Sequence, residues 1–213
     1  KSMEYKNTLE FMEALNKFVF DIPKLITNVT PIIIEGEQII SKKSVENTIF
    51  ERFKDIPYLN RIEVVKQSLF SQVENKYLSS KDNSHFDYVE DKKTFYDFCK
   101  AQVDAQVDAM IKTLDSVDIY KLLWSNIEKY TNMDLNSTKE LTLNYLNNNE
   151  VKFEDITPII YIRSSLEGFR SYGNMKHVLI DEAQDYSPLF YKIIKRSFPN
   201  ASLTIMGDLN QRI

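Results

Sequence analysis

The sequence predicts an α/β protein: a mostly helical part over residues 1–150, followed by a short piece of parallel sheet over residues 151–213. Apolar residues recur at helical spacing up to the polar tripeptide Asn147-Asn148-Asn149, and strand-like runs alternate with a helix after it. Net charge changes near the same place, from −5 over residues 1–150 (19 basic against 24 acidic residues) to +1 over residues 151–213 (8 against 7). We therefore expect two domains with a boundary near residue 150.

The first 40 residues predict a helix and a hairpin. A helix from Thr8 to Ile22 explains apolar residues that recur at steps of four, three and four, and Pro23 can end it. The apolar run that begins at Ile32 and resumes at Ile39 predicts a small hairpin, with Gly36 in the turn. The residues that form the buried face of the helix are Phe11, Leu15, Phe18 and Ile22.

Four further helices are predicted before residue 150. The first follows a cap at Ser41 or Ser44, the second covers about 59–78, and two shorter ones cover 117–130, with Trp124 in the core, and 138–146. Between them, residues 92–118 have the most regular pattern, close to the seam of a heptad repeat. The seam residues are Cys99, Val103, Val107, Met110, Leu114 and Val117.

The segment around this seam is acidic, with nine acids and five lysines between residues 81 and 118. Two interpretations fit that charge. One is an amphipathic helix with a solvated acidic face, and the other is an acidic arm that enters a basic groove of a partner.

Bulk composition excludes several classes of protein. The chain has only 4 glycines in 213 residues and no G-x-x-x-x-G-K-[ST] or G-x-G-x-x-G segment, so it has no glycine-rich phosphate loop of its own. No apolar run approaches the roughly 18 residues of a membrane span. A net charge of −4 argues against a generally basic, DNA-coating protein. The single cysteine, Cys99, cannot form an internal disulfide, which is typical of a cytoplasmic protein.

Residues 176–213 predict a β-α-β unit. Residues 178–180 and 203–206 are apolar runs typical of parallel strands that are buried on both faces, and Ser187-Pro188 begins the helix between them. Asp181-Glu182 follows the first run, and Gly207-Asp208 follows the second. Because ligands bind outside the carboxyl ends of parallel strands, we expect both acidic tips at one site.

The residue types at these tips suit a magnesium nucleotide. Mg²⁺ typically uses one or two carboxylates together with phosphate oxygens. Asp181, at the end of a strand, fits the metal role, and Glu182 could orient or deprotonate an attacking water. Gln211, in the loop after the second strand, could reach a γ-phosphate with its amide. The structural alternative is that the acids only cap two strands.

Two motifs in this segment resemble those of a known enzyme family. Asp-Glu-Ala-Gln-Asp (residues 181–185), and Gly-Asp-x-x-Gln (residues 207–211) beginning 26 residues after Asp181, resemble motifs II and III of superfamily 1 helicases of the UvrD/Rep group. The resemblance implies that residues 151–213 are part of a P-loop NTPase (RecA-like) parallel sheet. It also implies an ATP-dependent helicase or translocase that uses ATP and Mg²⁺ and binds DNA.

The resemblance assigns roles to the motif residues. Glu182 would be the catalytic acid of motif II, and Gln211 would sense the γ-phosphate in motif III. Asp181 would be the magnesium carboxylate. The other motif residues would bind the cofactor or couple the site to neighbouring motifs: Gln184, Asp185, Gly207 and Asp208.

Neighbouring residues narrow the resemblance to the HelD (helicase IV-like) branch. Tyr-Ser-Pro after motif II and Leu-Asn inside motif III look like that branch. Residues 155–162 are similar to a helix that precedes motif II there, and residues 31–53 look like its inserted subdomain. Members of the branch bind RNA polymerase and release it from nucleic acid.

The chain departs from the family pattern by omission. It contains neither the lysine-bearing phosphate loop nor the arginine-bearing motifs that follow motif III. We therefore expect an internal fragment of the first core domain with its helical insertion, which supplies part of the ATP site but is inactive alone. The alternative is that the helical part, with its net charge of −5, is mainly an RNA polymerase-binding module. An acidic arm suits a positively charged channel better than it suits DNA phosphates.

Overall fold

The computed structural model describes residues 5–78 and 89–208. Among these residues, no helix is both long and apolar enough to cross a membrane. Short π-helical turns follow the second and third helices, at Thr48–Arg52 and Glu74–Leu78. The helices are α1 (Leu9–Ile26), α2 (Lys42–Asn47), α3 (Tyr58–Val73), α4 (Val89–Met110), α5 (Ser116–Ser125), α6 (Asn136–Asn147), α7 (Phe153–Glu167) and α8 (Pro188–Ser197), and the strands are β1 (Ile32–Ile34), β2 (Glu37–Ile40), β3 (His177–Ile180) and β4 (Ser202–Ile205). The chain is thus mainly helical with small sheets, as expected of a mixed α/β protein.

The chain divides into two compact units. Unit 1 consists of residues 1–22 and 114–213, and unit 2 consists of residues 23–113. These limits are set by compactness, and they differ from the change of charge and texture at residue 150. A domain boundary near residue 150 stays a prediction.

Unit 2 contains the predicted hairpin. Strands β1 and β2 pair antiparallel, and the two residues between them, Glu35 and Gly36, have φ values of 51° and 84°. Both lie in the left-handed region, which a two-residue hairpin turn of this kind requires and which glycine adopts without strain. Ser41 then caps α2, because its side chain accepts a hydrogen bond from the Ser44 backbone N–H.

The core of unit 2 lies between α3, α4 and the hairpin. The predicted seam of α4 is buried from Cys99 to Met110. Gln106, on the same helix, fixes β1, since its amide donates to the Ile33 carbonyl at 2.8 Å and its oxygen accepts from the Ile33 N–H at 2.9 Å. Arg61 of α3 is also buried and donates to three backbone carbonyls, those of Ile49, Lys54 and Ile56.

The two ends of unit 2 are hydrogen-bonded to each other. The Lys112 N–H donates to the Ile26 carbonyl at 2.8 Å, and the Asn28 N–H donates to the Met110 carbonyl at 2.7 Å. Thr27 and Ile111 form an isolated antiparallel bridge at the same place. We refer to residues 26–28 and 110–112 as the clasp.

Two predicted helix ends are wrong, and the clasp explains both. The first helix was expected to stop at Pro23 but continues to Ile26, which is buried, so the apolar face extends one further turn. The heptad pattern was expected to continue through residue 117, but α4 ends at Met110. There the Met110 carbonyl and the Lys112 N–H form hydrogen bonds with the other half of the clasp instead of continuing the helix. A new helix then starts at Asp115, whose carboxylate accepts from two backbone N–H groups of α5.

Aromatic side chains dominate the core of unit 1. The first part of α1 buries its predicted face there, and Trp124 of α5 is fully buried and stacks on Phe11 with ring centroids 6.0 Å apart. Helix α5 packs on α6 and α7, and α7 packs on α8. The segment that carries Asp181 and Glu182 is therefore attached to this core through α7 and α8.

A charged pair lies inside the same core. The Lys6 ammonium contacts Asp155 Oδ1 at 2.7 Å, and both side chains are at most 2% exposed. The Tyr120 hydroxyl donates to the same oxygen at 2.7 Å, and Lys6 also lies over the Trp124 ring, 5.2 Å from its centroid. Asp155 Oδ2 is buried and has no hydrogen-bond partner among the described residues. The pair connects the start of the described chain to α7.

Candidate functional site

Strands β3 and β4 place the two acidic tips side by side. They pair in parallel, with Ile180 opposite Ile205, as the β-α-β pattern predicts. Pairing continues past the strand ends, because the Met206 N–H donates to the Ile180 carbonyl and the Ala183 N–H donates to the Met206 carbonyl, both at 2.8 Å. The residues that follow each strand therefore lie next to each other.

The expected burial of these strands on both faces is wrong for the described residues. Ile180 is only 6% exposed, but Leu179 is 60% exposed and Ile205 is 51% exposed. The sheet formed by the described residues has only two strands, so much of its apolar surface has no covering layer there. A continuous apolar run predicts a strand with two apolar faces, but it does not show that both faces are covered within the same chain.

The turn after β3 has a strained backbone. Glu182 has φ 50° and ψ 45°, a left-handed conformation that is uncommon for residues other than glycine. Its N–H donates to Asp181 Oδ1 at 2.9 Å, and its carbonyl accepts from the Asp185 N–H at 3.0 Å. Both carboxylates of the Asp181-Glu182 pair are exposed. Strain of this kind is frequent at functional turns, where it aims side chains that a relaxed backbone would direct elsewhere.

Gln184 joins the two acidic tips. Its amide Nε2 donates to Glu182 Oε2 at 2.7 Å, and its Oε1 accepts from the Asp208 backbone N–H at 3.1 Å. One side chain thus contacts a carboxylate after β3 and the backbone after β4. Asp185 contributes to the turn through its backbone N–H, and its side chain is exposed.

Gly207 allows this close approach. A Cβ atom at this position would lie 2.7 Å from Gln184 Oε1, 3.0 Å from Ala183 Cβ and 3.1 Å from the Ala183 nitrogen. A Cβ atom essentially never comes within 3.0 Å of a heavy atom to which it is not covalently linked. The absence of a side chain at Gly207 therefore permits the contact between the two loops.

Helix α8 is hydrogen-bonded to the turn after β3. The Tyr191 hydroxyl donates to the Ala183 carbonyl at 2.7 Å, and Ser187 caps the helix by accepting from the Phe190 N–H. Burial raises the pKa of Tyr191, so its hydroxyl keeps the proton that this bond requires. Sequence reasoning missed Tyr191, although its position one turn into the helix after motif II is a signal that could have suggested it.

A family comparison covers this whole region. The UvrD/REP helicase N-terminal domain matches residues 36–213. The chain belongs to this family. The match of this UvrD/REP helicase domain includes most of unit 2 as well as the motif-bearing segment. A comparison with curated proteins gives no significant match.

The UvrD/REP helicases are ATP-dependent enzymes, and the carboxylates at the strand ends fit a magnesium nucleotide. Carboxylate oxygens are the ligands that Mg²⁺ prefers, and Asp181 and Glu182 present theirs at the surface. Among the described residues, no group of three or more His, Cys, Asp or Glu side chains could hold a metal ion. A cation bound here would share its coordination with ligand oxygens, as Mg²⁺ does with nucleotide phosphates.

The structure brings together six of the seven residues that the motifs single out. They are Asp181, Glu182, Gln184, Asp185, Gly207 and Asp208. The seventh, Gln211, lies outside the described residues. Its role as a γ-phosphate sensor stays a prediction.

Proposed function

We propose that this chain supplies the magnesium and water-activating carboxylates, together with the sensor loop, of the ATP site in a UvrD/REP-type helicase. The observation that carries the proposal is the Gln184 bridge, which ties Glu182 to the loop after β4. A bridge between the two strand ends is what a site needs if changes at the γ-phosphate are to reach the carboxylate that acts on water. Acids that only cap two strands would not require it.

Each carboxylate has a distinct role in this proposal. Asp181 would hold the cation, and the Glu182 N–H fixes the orientation of its carboxylate. Glu182 would accept a proton from the attacking water at Oε1, since Oε2 already accepts the Gln184 amide. Bound Mg²⁺ would neutralise charge on the phosphates. Gln211 would contact the γ-phosphate.

The test uses the complete helicase, in which this chain is joined to a phosphate-binding loop, and measures ATP hydrolysis stimulated by single-stranded DNA. We expect Glu182→Gln to lower kcat by about 10²–10⁴-fold, the usual contribution of a general base, while ATP binding persists. Glu140→Gln is the matched control, because Glu140 is an exposed carboxylate on α6 outside the site. A Glu182→Gln enzyme that turns over ATP at the rate of the control would contradict the proposal.

The 213-residue chain alone is proposed to be inactive. It contains no G-x-x-x-x-G-K-[ST] segment, and phosphoryl transfer needs that loop and transition-state arginines as well as the metal site. ATP turnover by the purified chain that disappears in Glu182→Gln would show this part of the proposal to be wrong.

The finer assignments rest on sequence alone. Placement in the HelD branch is supported by the residues around motifs II and III, and a cytoplasmic location by the single cysteine, Cys99, which cannot form an internal disulfide. DNA is proposed as the nucleic acid on which the complete enzyme acts. The RNA polymerase-binding alternative stays a prediction, because no contact among the described residues points to that partner.

A further inference from the structure

We infer that Tyr191 and Asn16 are positioning residues for the Glu182 carboxylate: Tyr191 holds the turn after β3, and Asn16 holds the helix that carries Tyr191. The inference rests on the proposed ATP site, but it concerns two residues that neither motif contains. Asn16 also precedes residues 36–213, the range of the family match. Both residues act on Glu182 through other groups, and neither is a ligand of the nucleotide.

Tyr191 is bonded to the residue that directly follows Glu182. Both backbone polar groups of that residue, Ala183, have partners: its N–H donates to the Met206 carbonyl at 2.8 Å, and its carbonyl accepts from the Tyr191 hydroxyl at 2.7 Å. The Tyr186 N–H also donates to this carbonyl, but over a longer distance of 3.4 Å. The shorter bond that fixes the Ala183 carbonyl therefore comes from a side chain of α8.

The strained backbone of Glu182 makes this bond important for the carboxylate. A left-handed conformation such as its φ 50° and ψ 45° persists only where surrounding contacts hold it. Without the Tyr191 hydroxyl, the peptide group between Ala183 and Gln184 loses its shorter bond, and the turn gains freedom to relax. Gln184 follows this peptide and donates to Glu182 Oε2 at 2.7 Å. Rotation of the peptide would therefore redirect the carboxylate that is proposed to act on water.

The next residue of α8, Lys192, is bonded to α1. Its ammonium donates to Asn16 Oδ1 at 2.5 Å, and the Tyr161 hydroxyl of α7 donates to the same oxygen at 2.8 Å. A carboxamide oxygen has two lone pairs, so Asn16 connects α7 and α8 to α1 through one atom. Lys192 also lies over the Tyr161 ring, 5.2 Å from its centroid. A neutral side chain and an aromatic ring thus fix the position of this ammonium.

Helix α8 connects these two sets of contacts. Tyr191 and Lys192 are successive residues, so their side chains project about 100° apart around the helix, one bonded to the turn and the other to α1. Movement of α8 away from α1 would carry the Tyr191 hydroxyl away from Ala183. A displacement of about 1 Å can cost an active site about 10²-fold in rate. If the bonds only stabilised the fold, their loss would lower stability and leave kcat unchanged.

The experiment measures kcat and KM for ATP separately, in the complete helicase with single-stranded DNA present. Tyr191→Phe removes the hydroxyl and keeps the ring, which contacts Phe190 edge-on with centroids 5.7 Å apart. We expect kcat to fall by about 2–12-fold, the factor that one hydrogen bond contributes. We expect KM to stay within about 2-fold, because the loss concerns the carboxylate that acts on water and not the binding of the nucleotide.

Variants at the α1 end test the connection through α8. Asn16→Ala removes the acceptor and should lower kcat by at least about 2-fold, and Lys192→Met, which removes the donor but keeps the apolar stem, should do the same. Asn16→Asp keeps an acceptor oxygen for both donors and should retain kcat. Asn16→Ala combined with Tyr191→Phe should be no slower than Tyr191→Phe alone, because both changes break the same connection. A double variant slowed by the product of the two single effects would overturn this connection.

The matched control is Tyr120→Phe, which removes another tyrosine hydroxyl of unit 1 that donates at 2.7 Å. It should lower the urea midpoint of the 213-residue chain, measured by Trp124 fluorescence, and leave kcat unchanged. An equal fall of kcat in Tyr120→Phe and Tyr191→Phe, or an unchanged kcat in Tyr191→Phe, would overturn the inference. If Tyr191→Phe keeps its turnover while Glu182→Gln loses it, the inference fails and the proposed ATP site stands. If Glu182→Gln turns over ATP as fast as Glu140→Gln, the proposed site itself fails.

Discussion

Replacement of Gly207 by alanine tests whether the two loops of the candidate site must touch. The new Cβ would lie 2.7 Å from Gln184 Oε1, and 3.0 and 3.1 Å from the Cβ and nitrogen of Ala183. The glutamine can rotate away, but it then loses its bonds to Glu182 and to the Asp208 N–H. Ala183 is held by its own backbone bond to Met206, so it has less freedom to move.

The expected effect is moderate. Overpacking of this kind costs about 1–3 kcal/mol. The loss of backbone freedom in the unfolded chain offsets about 0.4–1 kcal/mol of this. We therefore expect Gly207→Ala to lower the free energy of unfolding of unit 1 by about 1–2 kcal/mol, which shifts the urea midpoint downward by about 0.5–1 M.

Trp124 makes the assay specific to unit 1. It is the single tryptophan of the chain, it is fully buried, and it lies in the same unit as Gly207. Its fluorescence during urea unfolding thus reports unit 1 without requiring the whole chain to unfold in one step.

Gly173→Ala is the matched control in the same unit. A Cβ there would meet only the Asn200 amide nitrogen, at an ordinary contact distance of 3.6 Å. We expect no destabilisation, or a gain of about 0.4–1 kcal/mol. If Gly207→Ala unfolds at the same midpoint as Gly173→Ala, or at a higher one, the close approach of the loops is not a requirement and the reasoning is refuted.

Two further predictions concern the buried pair of unit 1, both measured by Trp124 fluorescence. Asp155→Asn leaves the Lys6 ammonium buried without an anion and should lower the free energy of unfolding by about 3–5 kcal/mol. Adding Lys6→Met to this variant removes the unpaired charge and should recover part of the loss. A double variant that is no more stable than Asp155→Asn would argue against the pair. Burial, with Asp155 adding to it, raises the pKa of Tyr120 well above its usual range. The unfolded chain then loses this proton near pH 10 while the folded chain keeps it, so stability should fall as the pH rises above about 10. The fall should be shallower in Tyr120→Phe, and an equally steep fall would contradict the assignment.

Local patterns were sufficient to predict many elements of the fold. The apolar spacing from Phe11 to Ile22 predicted the first helix, and the Glu35-Gly36 pair between isoleucine runs predicted the hairpin. Ser187 capped α8 as expected. These features depend on residues close together in the chain, so their signals are contained in short windows of sequence.

Helix ends were harder to predict because distant residues determine them. The pattern that crosses residues 111–115 keeps its heptad spacing, yet the backbone there bonds to residues 26–28. Pro23 is a strong stop signal in isolation, but the burial of Ile26 outweighs the single hydrogen bond that proline removes. Sequence windows contain neither of these long-range contacts.

Some features of the candidate site were likewise predictable from the sequence, and others were not. The acids at the two strand ends were predictable, because parallel strands bring their carboxyl ends together. The Gln184 bridge and the Tyr191 support were not, since both depend on side-chain conformations around a strained turn. The Lys6–Asp155 pair was also missed, because its members are far apart in the chain and charged residues are rarely fully buried.

The clasp links the folding of the two units energetically. Unit 1 is built from two stretches of chain that are separated by the roughly 90 residues of unit 2. When unit 2 is unfolded, bringing those stretches together requires closure of a loop of that length. Once the clasp at residues 26–28 and 110–112 has formed, the same stretches are connected through fewer than about 10 residues. Because closure entropy grows as 1.5 RT times the logarithm of loop length, prior folding of unit 2 lowers the entropic cost of assembling unit 1 by about 2 kcal/mol.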